Sequence, residues 1–240
     1  KCKNCYKMSR LNIQQAERLA QKFRADLGLN DSEPIHTKTI LRKENIVTMY
    51  LPLSENVHGL SLKHEGHKFM LINSTRTRGR QHFTIAHELY HLYWDDNPSP
   101  HICSNGKNNS EANADMFASA FLMPSNGINA NIATSEIKDR NISLATIIRL
   151  EQYFSVSRRA LLIRLQKLNL LSQSQYEEYL LTHPIKTAKD YGYDISLYKS
   201  GNTNLVLGDF GTLARTLFEN DIISEGNYFE LLNQIPYDEE

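Results

Sequence analysis

The sequence predicts an α+β protein: a small sheet of about three strands set among helices, then a helix-turn-helix-like unit, then a mostly helical C-terminal segment. Three observations predict it. Apolar residues recur at the three-and-four spacing of helices along most of the chain, the period drops to two only between Ile46 and Asn73, and clusters of Gly, Pro, Ser and Asn mark the changes. The 240 residues divide into a core over 1–133, the helix-turn-helix-like unit over 134–168 and an acidic segment over 169–240. Aliphatic, aromatic and Cys residues make up 40% of the chain, an ordinary share for a soluble globular protein. No apolar run approaches the ~18 residues that span a bilayer, and Lys1-Cys2-Lys3-Asn4-Cys5 has no apolar core of the signal-peptide kind. These features predict a cytoplasmic protein, away from membranes. Three Cys are too few for a disulfide framework.

The elements follow in order. Leu11, Ile13, Ala16, Leu19, Ala20 and Phe23 form one face of an opening helix that Gly28 ends. A polar turn around Pro34 leads to a short helix over Thr37 to Glu44. Ile46-Val47-Thr48-Met49-Tyr50, Val57 to Leu62 and Lys68 to Ile72 read as strands, with Glu65-Gly66 as a hairpin turn between the last two. Gln81 to Trp94 and Glu111 to Met123 are helical. The Pro/Ser/Asn/Gly-rich stretch between them, Asp95 to Ser110, reads as irregular, and Pro124 ends the second helix. Ser143 and Ser157 cap helices that run to Phe154 and Leu168, joined by the short Ser155-Val156 turn. Beyond Leu168 the pattern predicts a helix near Gln173 to Leu181, an irregular stretch to Asp209 and a last helical region over Thr212 to Leu232.

Net charge is zero, but residues 169–240 hold four basic and twelve acidic residues, a net of −8, while 136–168 carry seven basic against three acidic, a net of +4. The two segments are expected to dock on each other, and a core complete by Pro124 and braced by the helices to Leu168 is expected to keep its site when residues 169–240 are removed.

The chemistry concentrates in His87-Glu88-Leu89-Tyr90-His91. On a helix this spacing places both imidazoles one turn apart on one face, the geometry of two metal ligands with a carboxylate between them. Arg80, Thr84, His87, Glu88, His91 and Asp95 share about a third of the helix circumference, and the rest is apolar, so the polar stripe should line a cleft. A catalytic zinc takes a third protein ligand. Glu111 opens the next helix, Ala114 and Ala118 allow close approach, and Asp115, one turn on, can accept a hydrogen bond from the far nitrogen of a ligating His.

The segments Phe69 to Asn73, Arg80 to His91, Glu111 to Ala118 and Phe121 to Pro124 resemble the ImmA/IrrE family of metallopeptidases. The resemblance is continuous in character from about Val57 to Pro124 and looser through Leu168. It implies a gluzincin-like zinc peptidase core in which His87, His91 and Glu111 hold one Zn2+ per chain, or another divalent ion such as Mn2+, and Glu88 is the catalytic carboxylate. It also implies an endopeptidase that cleaves a helix-turn-helix transcriptional repressor and so induces gene expression. Arg80, Tyr93 and Tyr153 are candidates to stabilise the oxyanion. An extended substrate is expected to add to a sheet edge at Lys68 to Asn73, through Phe69, Leu71 and Asn73.

Two other readings compete: a metal-bound regulator that binds a partner without cutting it, and a DNA-binding regulator using residues 142–168. Intact Glu88 favours an enzyme, and the neutral balance weighs against direct DNA binding. Arg149, Arg158, Arg159, Arg164 and Lys167 can reach phosphate, yet Ile147, Ile148, Leu150, Phe154, Leu161, Leu162 and Leu165 fit a unit packed on the core, and packing is preferred. Cys2 and Cys5, even with His101 and Cys103, make half a zinc knuckle and are discounted. His64 and His67 flank a polar turn and read as solvated, and at most one of His58, His64, His67 and His82 is expected to reach the cleft.

Overall fold

The computed structural model describes residues 10–95, 101–104 and 109–233. Cys2 and Cys5, and the side chains of His101 and Cys103, lie outside the described residues. Helix α1 (Ile13–Asp26) starts at a capping box in which Asn12 and Gln15 satisfy each other's backbone amides. It buries Ala16, Ala20 and Phe23 of the face its spacing predicts, while Ile13 of that face is exposed. After α2 (Thr37–Lys43) come β1 (Ile46–Leu51), β2 (Val57–His64) and β3 (His67–Asn73). Glu65 and Gly66 turn the β2–β3 hairpin with φ of +47° and +85°, the pair of positive angles that a two-residue turn between twisted strands requires.

Among the described residues the sheet has five strands rather than about three. Its order is β4-β2-β3-β1-β5, with β4 (His101–Ser104) antiparallel to β2 and β5 (Val206–Leu207) antiparallel to β1. Both extra strands arise inside stretches whose composition reads as irregular. Neither is long enough to show a period; pairing with a formed neighbour makes each a strand. The expected substrate edge is also corrected. β3 pairs in parallel with β1 and antiparallel with β2, so the backbones of Phe69, Leu71 and Asn73 already lie in the sheet interior. Asn73 is fully used as well, its amide donating to the carbonyls of Leu53, Ser54 and Val57 and its oxygen accepting from Leu53 and Thr75.

Helix α3 (Arg78–Trp94) lies across β2 and β3, and α4 (Asn109–Leu122) packs on α3 and α1. Ala114 and Ala118 are wholly buried at this junction with Phe117 and Phe121. Short helices α5 (Ser125–Ala130) and α6 (Thr134–Asp139) lead to α7 (Leu144–Phe154) and α8 (Arg158–Lys167), capped by Ser143 and Ser157, with Ser155 left-handed at the turn. The seven apolar residues of this pair are at most 1% exposed, and all but Ile148 belong to the same core as Phe117 and Leu89. Two of its five expected surface cations are internal. Arg158 donates to Glu151 and Thr182, and Arg164 donates to the Met123 carbonyl and pairs with Glu17.

The C-terminal segment contributes α9 (Gln173–Leu181), α10 (Pro184–Asp190), a 3-10 turn at Ser196–Tyr198, then β5, α11 (Phe210–Glu219) and α12 (Glu225–Asn233). The last helical region, expected over Thr212 to Leu232, consists of α11 and α12, parted near Asp221, whose φ is +57°. The segment does dock on the α7–α8 pair, but through apolar packing and hydrogen bonds more than through net charge. Ala188, Leu197 and Tyr198 bury Ile148, the Tyr179 hydroxyl donates to the Ile142 carbonyl, and the Tyr198 hydroxyl donates to Glu151. The chain then returns to the start of α3, where Arg78 N donates to Lys199 O at 2.8 Å and Gln81 Nε2 to Gly201 O at 2.9 Å. A core complete by Pro124 is thus corrected: residues 199–207 supply one sheet strand, an acceptor for the Arg78 amide, which the helix cannot satisfy internally, and one for the Gln81 side chain. No described helix is long and apolar enough to cross a membrane.

Candidate metal and catalytic site

The stripe expected on α3 is present. His87, Glu88 and His91 are all buried beneath the facing start of α4. His87 Nε2 lies 3.1 Å from His91 Nε2 and 3.3 Å from Glu111 Oε2, and His91 Nε2 lies 3.7 Å from Glu111 Oε1. The three side chains offer ligand atoms within 4.8 Å of one another and could hold a metal ion. A tetrahedral centre with bonds of ~2.0–2.1 Å sets its ligand atoms ~3.3 Å apart, which is the spacing found.

The outer nitrogens support the same fit. His87 Nδ1 lies 2.9 Å from Asp115 Oδ1, and His91 Nδ1 lies 2.6 Å from Asp95 Oδ2. A carboxylate only accepts, so each Nδ1 carries the proton and each Nε2 turns a lone pair inward. Two such nitrogens and a carboxylate oxygen converge comfortably around a cation. Asp115 therefore sits where the sequence predicts. Asp95 was visible on the stripe without a role; it also accepts from the Ser110 hydroxyl at 2.9 Å, tying the end of α3 to the residue before Glu111. Replacing Asp115 with Ala, or Asp95 with Asn, should weaken metal binding by ~10 to 100-fold without abolishing it. Competition with a chromophoric chelator measures this, and an unchanged affinity would remove that carboxylate from the site.

Glu88 is held from the sheet. Ser61 on β2, itself buried, donates from Oγ to Glu88 Oε2 at 2.5 Å. Nothing in the sequence signals Ser61, because its role depends on which strand runs beneath α3. Two residues earlier, a Cβ on Gly59 would stand 2.6 Å from Thr84 Cγ2 and 3.0 Å from the Leu71 carbonyl. Only glycine lets β2 pass this close to the helix that carries the site.

The three oxyanion candidates separate. Tyr93 is corrected: its ring packs on Phe23 at 4.8 Å, and its hydroxyl donates to Glu44 while accepting from Lys68 Nζ at 2.6 Å. It leaves α3 on the side facing α1 and α2, and burial together with Glu44 pushes its phenol above the usual range. Tyr153 is corrected as well. It is exposed and neighbours Arg24, whose guanidinium donates to the Phe121 carbonyl. Phe121 lies ten residues beyond Glu111, about 15 Å along α4. Arg80 alone stays on the stripe, exposed and two turns before His87. His82 does not join the site either; its Nδ1 lies 2.8 Å from the Ser155 carbonyl, and burial first of all lowers its pKa. His64 is exposed beside Glu65, as expected at the hairpin.

Compared with known proteins, the chain matches the family model described as the IrrE N-terminal-like domain, of peptidase family M78, over residues 41–166. No curated protein matches it. The matched region runs from α2 to α8, so it contains the three converging ligand side chains, Glu88, Ser61 and the helix-turn-helix-like pair. It covers more than half of the chain, and the chain belongs to the IrrE N-terminal-like family of peptidases.

Proposed function

We propose that the protein is a zinc-dependent endopeptidase that cleaves one helix-turn-helix transcriptional repressor in the cytoplasm and thereby induces the genes it represses. The observation that carries this reading is the convergence of His87, His91 and Glu111 on one point beside a buried, positioned Glu88. The ion held there, Zn2+ or alternatively Mn2+, would polarise the scissile carbonyl and bring the pKa of a water towards ~7. Glu88, next to His87 in sequence and outside the ligand cluster, takes the proton from the attacking water and returns it to the leaving amine nitrogen. Ser61 fixes the rotamer in which it does so. Asp115 and Asp95 hold the imidazoles in the tautomer that can ligate. Arg80 is the side chain on the stripe able to meet negative charge developing on the carbonyl oxygen. Extended substrate adds to β4, the strand at the end of the sheet next to β2, instead of to β3.

Direct DNA binding through α7 and α8 is disfavoured by the burial of Arg158 and Arg164 in internal pairs. The test uses zinc-loaded protein and candidate helix-turn-helix repressors, beginning with any encoded beside it. Glu88→Gln keeps size and shape but removes the base. The variant should fold, keep its metal and bind the repressor, while cleavage falls by at least ~100 to 10,000-fold. Mass spectrometry of the fragments gives the readout. Equal relief of repression by wild type and variant, without fragments, would instead establish a regulator that acts by binding.

A further inference from the structure

Cationic side chains from separate parts of the chain gather around the first turn of α3. Arg76, Arg78 and Arg80 lie at its start. Gly79 presses so closely on the α7–α8 turn that a Cβ there would stand 2.8 Å from Ser157 N, which brings Arg159, two residues on, beside Arg80. From the other side Lys38 of α2 donates from Nζ to Asn202 Oδ1 at 2.8 Å, and Asn202 donates to Gln81 Oε1 at 2.8 Å. That link sets α2, with Arg42 one turn further on, against the same end of α3. The Arg78 side chain lies across Gly201, whose added Cβ would meet Nε at 2.8 Å.

Four described cations meet carboxylates: Lys68 meets Glu44, Arg158 Glu151, Arg164 Glu17 and Arg215 Glu219. Among the described residues, none of the six cations Lys38, Arg42, Arg76, Arg78, Arg80 and Arg159 has a carboxylate oxygen within 4.0 Å. Several of them feel one another's charge. Burial first, then Arg76 and Arg159, pushes the Arg80 guanidinium below its usual range; burial first, then Arg78 and Arg42, does the same to the Lys38 ammonium. Asp194 faces Arg78, but it is exposed and already accepts from Ser196 N at 3.0 Å. In a chain of zero net charge, such a concentration of one sign raises the local potential and draws in an anionic partner.

Building on the peptidase reading, we infer that Lys38, Arg42, Arg76, Arg78, Arg80 and Arg159 form a docking surface for an acidic segment of the protein substrate, next to the cleft. Position favours polypeptide over nucleic acid. Arg80 shares the stripe of His87, seven residues or about 10 Å along the helix, a distance that about three extended residues span. A chain anchored at the patch is therefore within reach of the converging ligand side chains. α8 meanwhile turns Arg158 and Arg164 inward, so it does not offer the row of basic residues that a groove-reading helix presents to phosphate.

The experiment uses the full zinc-loaded chain and two fluorescent probes of similar charge, a polyglutamate peptide and a random-sequence DNA duplex. Arg42 and Arg159 are reversed together (Arg42→Glu/Arg159→Glu), since both are exposed and Arg80 belongs to the cleft. Polyglutamate should bind the wild type in a salt-sensitive way and the variant about tenfold more weakly. Arg215→Glu, which alters a cation on α11, should bind like the wild type. Metal content and melting temperature should not change. On a cleaved repressor, the double variant should raise KM and leave kcat in place. Equal polyglutamate binding by variant and wild type would overturn the inference, as would DNA binding at least as tight as polyglutamate at the same salt. The two readings fail separately. If Glu88→Gln cuts like the wild type, the proposed mechanism falls while polyglutamate binding stands, and if only the charge reversal is silent, the patch falls and the peptidase stands.

Discussion

Purified protein will carry about one tightly held divalent cation per chain, and His87→Ala, His91→Ala and Glu111→Ala will each lose it. Each substitution leaves only two protein ligands where a stable catalytic centre uses three. The loss should also be felt in stability, because the cation binds the folded chain and not the unfolded one. With metal at about a thousand times its Kd, that linkage is worth ~4 kcal/mol. The source of the coupling is structural: His87 and His91 belong to the helix lying on the sheet, and Glu111 to the helix packed on both α3 and α1. A bound cation thus ties together elements that otherwise meet through apolar packing. Emission spectroscopy of the purified variants, with melting curves before and after chelation, gives the answer. Full occupancy in all three variants would end the metal-site reading.

Removing residues 169–240 should cost the protein its cooperative fold. The deletion takes away β5 and the Lys199 and Gly201 carbonyls that receive Arg78 N and Gln81 Nε2. It uncovers Ile148 by removing Ala188, Leu197 and Tyr198. It also strips Glu151 of the Tyr198 hydroxyl; burial already raises the pKa of that carboxylate against the pull of Arg158. Each buried apolar side chain contributes ~1.5–3 kcal/mol, and a domain is stable by only ~5–15 kcal/mol, so losing several contacts together is enough. Deletion from residue 210 should be mild by comparison. The apolar residues of α11 and α12, the buried Ala214 included, belong to neither core cluster, and Phe218 packs on Tyr228 at 4.9 Å. Circular dichroism melting of the two truncated chains should show this ordering, and metal retention should follow it. A fragment ending at Leu168 that melts cooperatively with its metal in place would contradict the account.

Local periodicity made much of the candidate site legible in advance. The three-residue gap between His87 and His91 places them one turn apart on any helix, and the same arithmetic relates Glu111 to Asp115. Asp95, four residues beyond His91, obeys it too and could have been assigned from the wheel. Helix caps at Ser143 and Ser157 and the Glu65-Gly66 turn depend on neighbours in sequence, and they form where their residues predict. The apolar faces of α7 and α8 likewise pointed to a packed unit.

What only the tertiary structure decided was which distant segments meet. A strand's place in a sheet depends on partners far along the chain, so β3 lies in the interior although its own residues suit an edge equally well. The four residues of β4 and two of β5 are too short to carry a period and exist only because β2 and β1 offer free backbone groups. Ser61 has no distinction until β2 is laid beneath Glu88, and Gly59 none until Thr84 closes on it. Tyr93 and Tyr153 carry suitable hydroxyls, but the packing of Phe23 and the position of Arg24 send them elsewhere. The sequence by itself determined the chemistry of the site, because ligand spacing on a helix is a local property; the support around that site came from long-range packing, which balances the whole core at once.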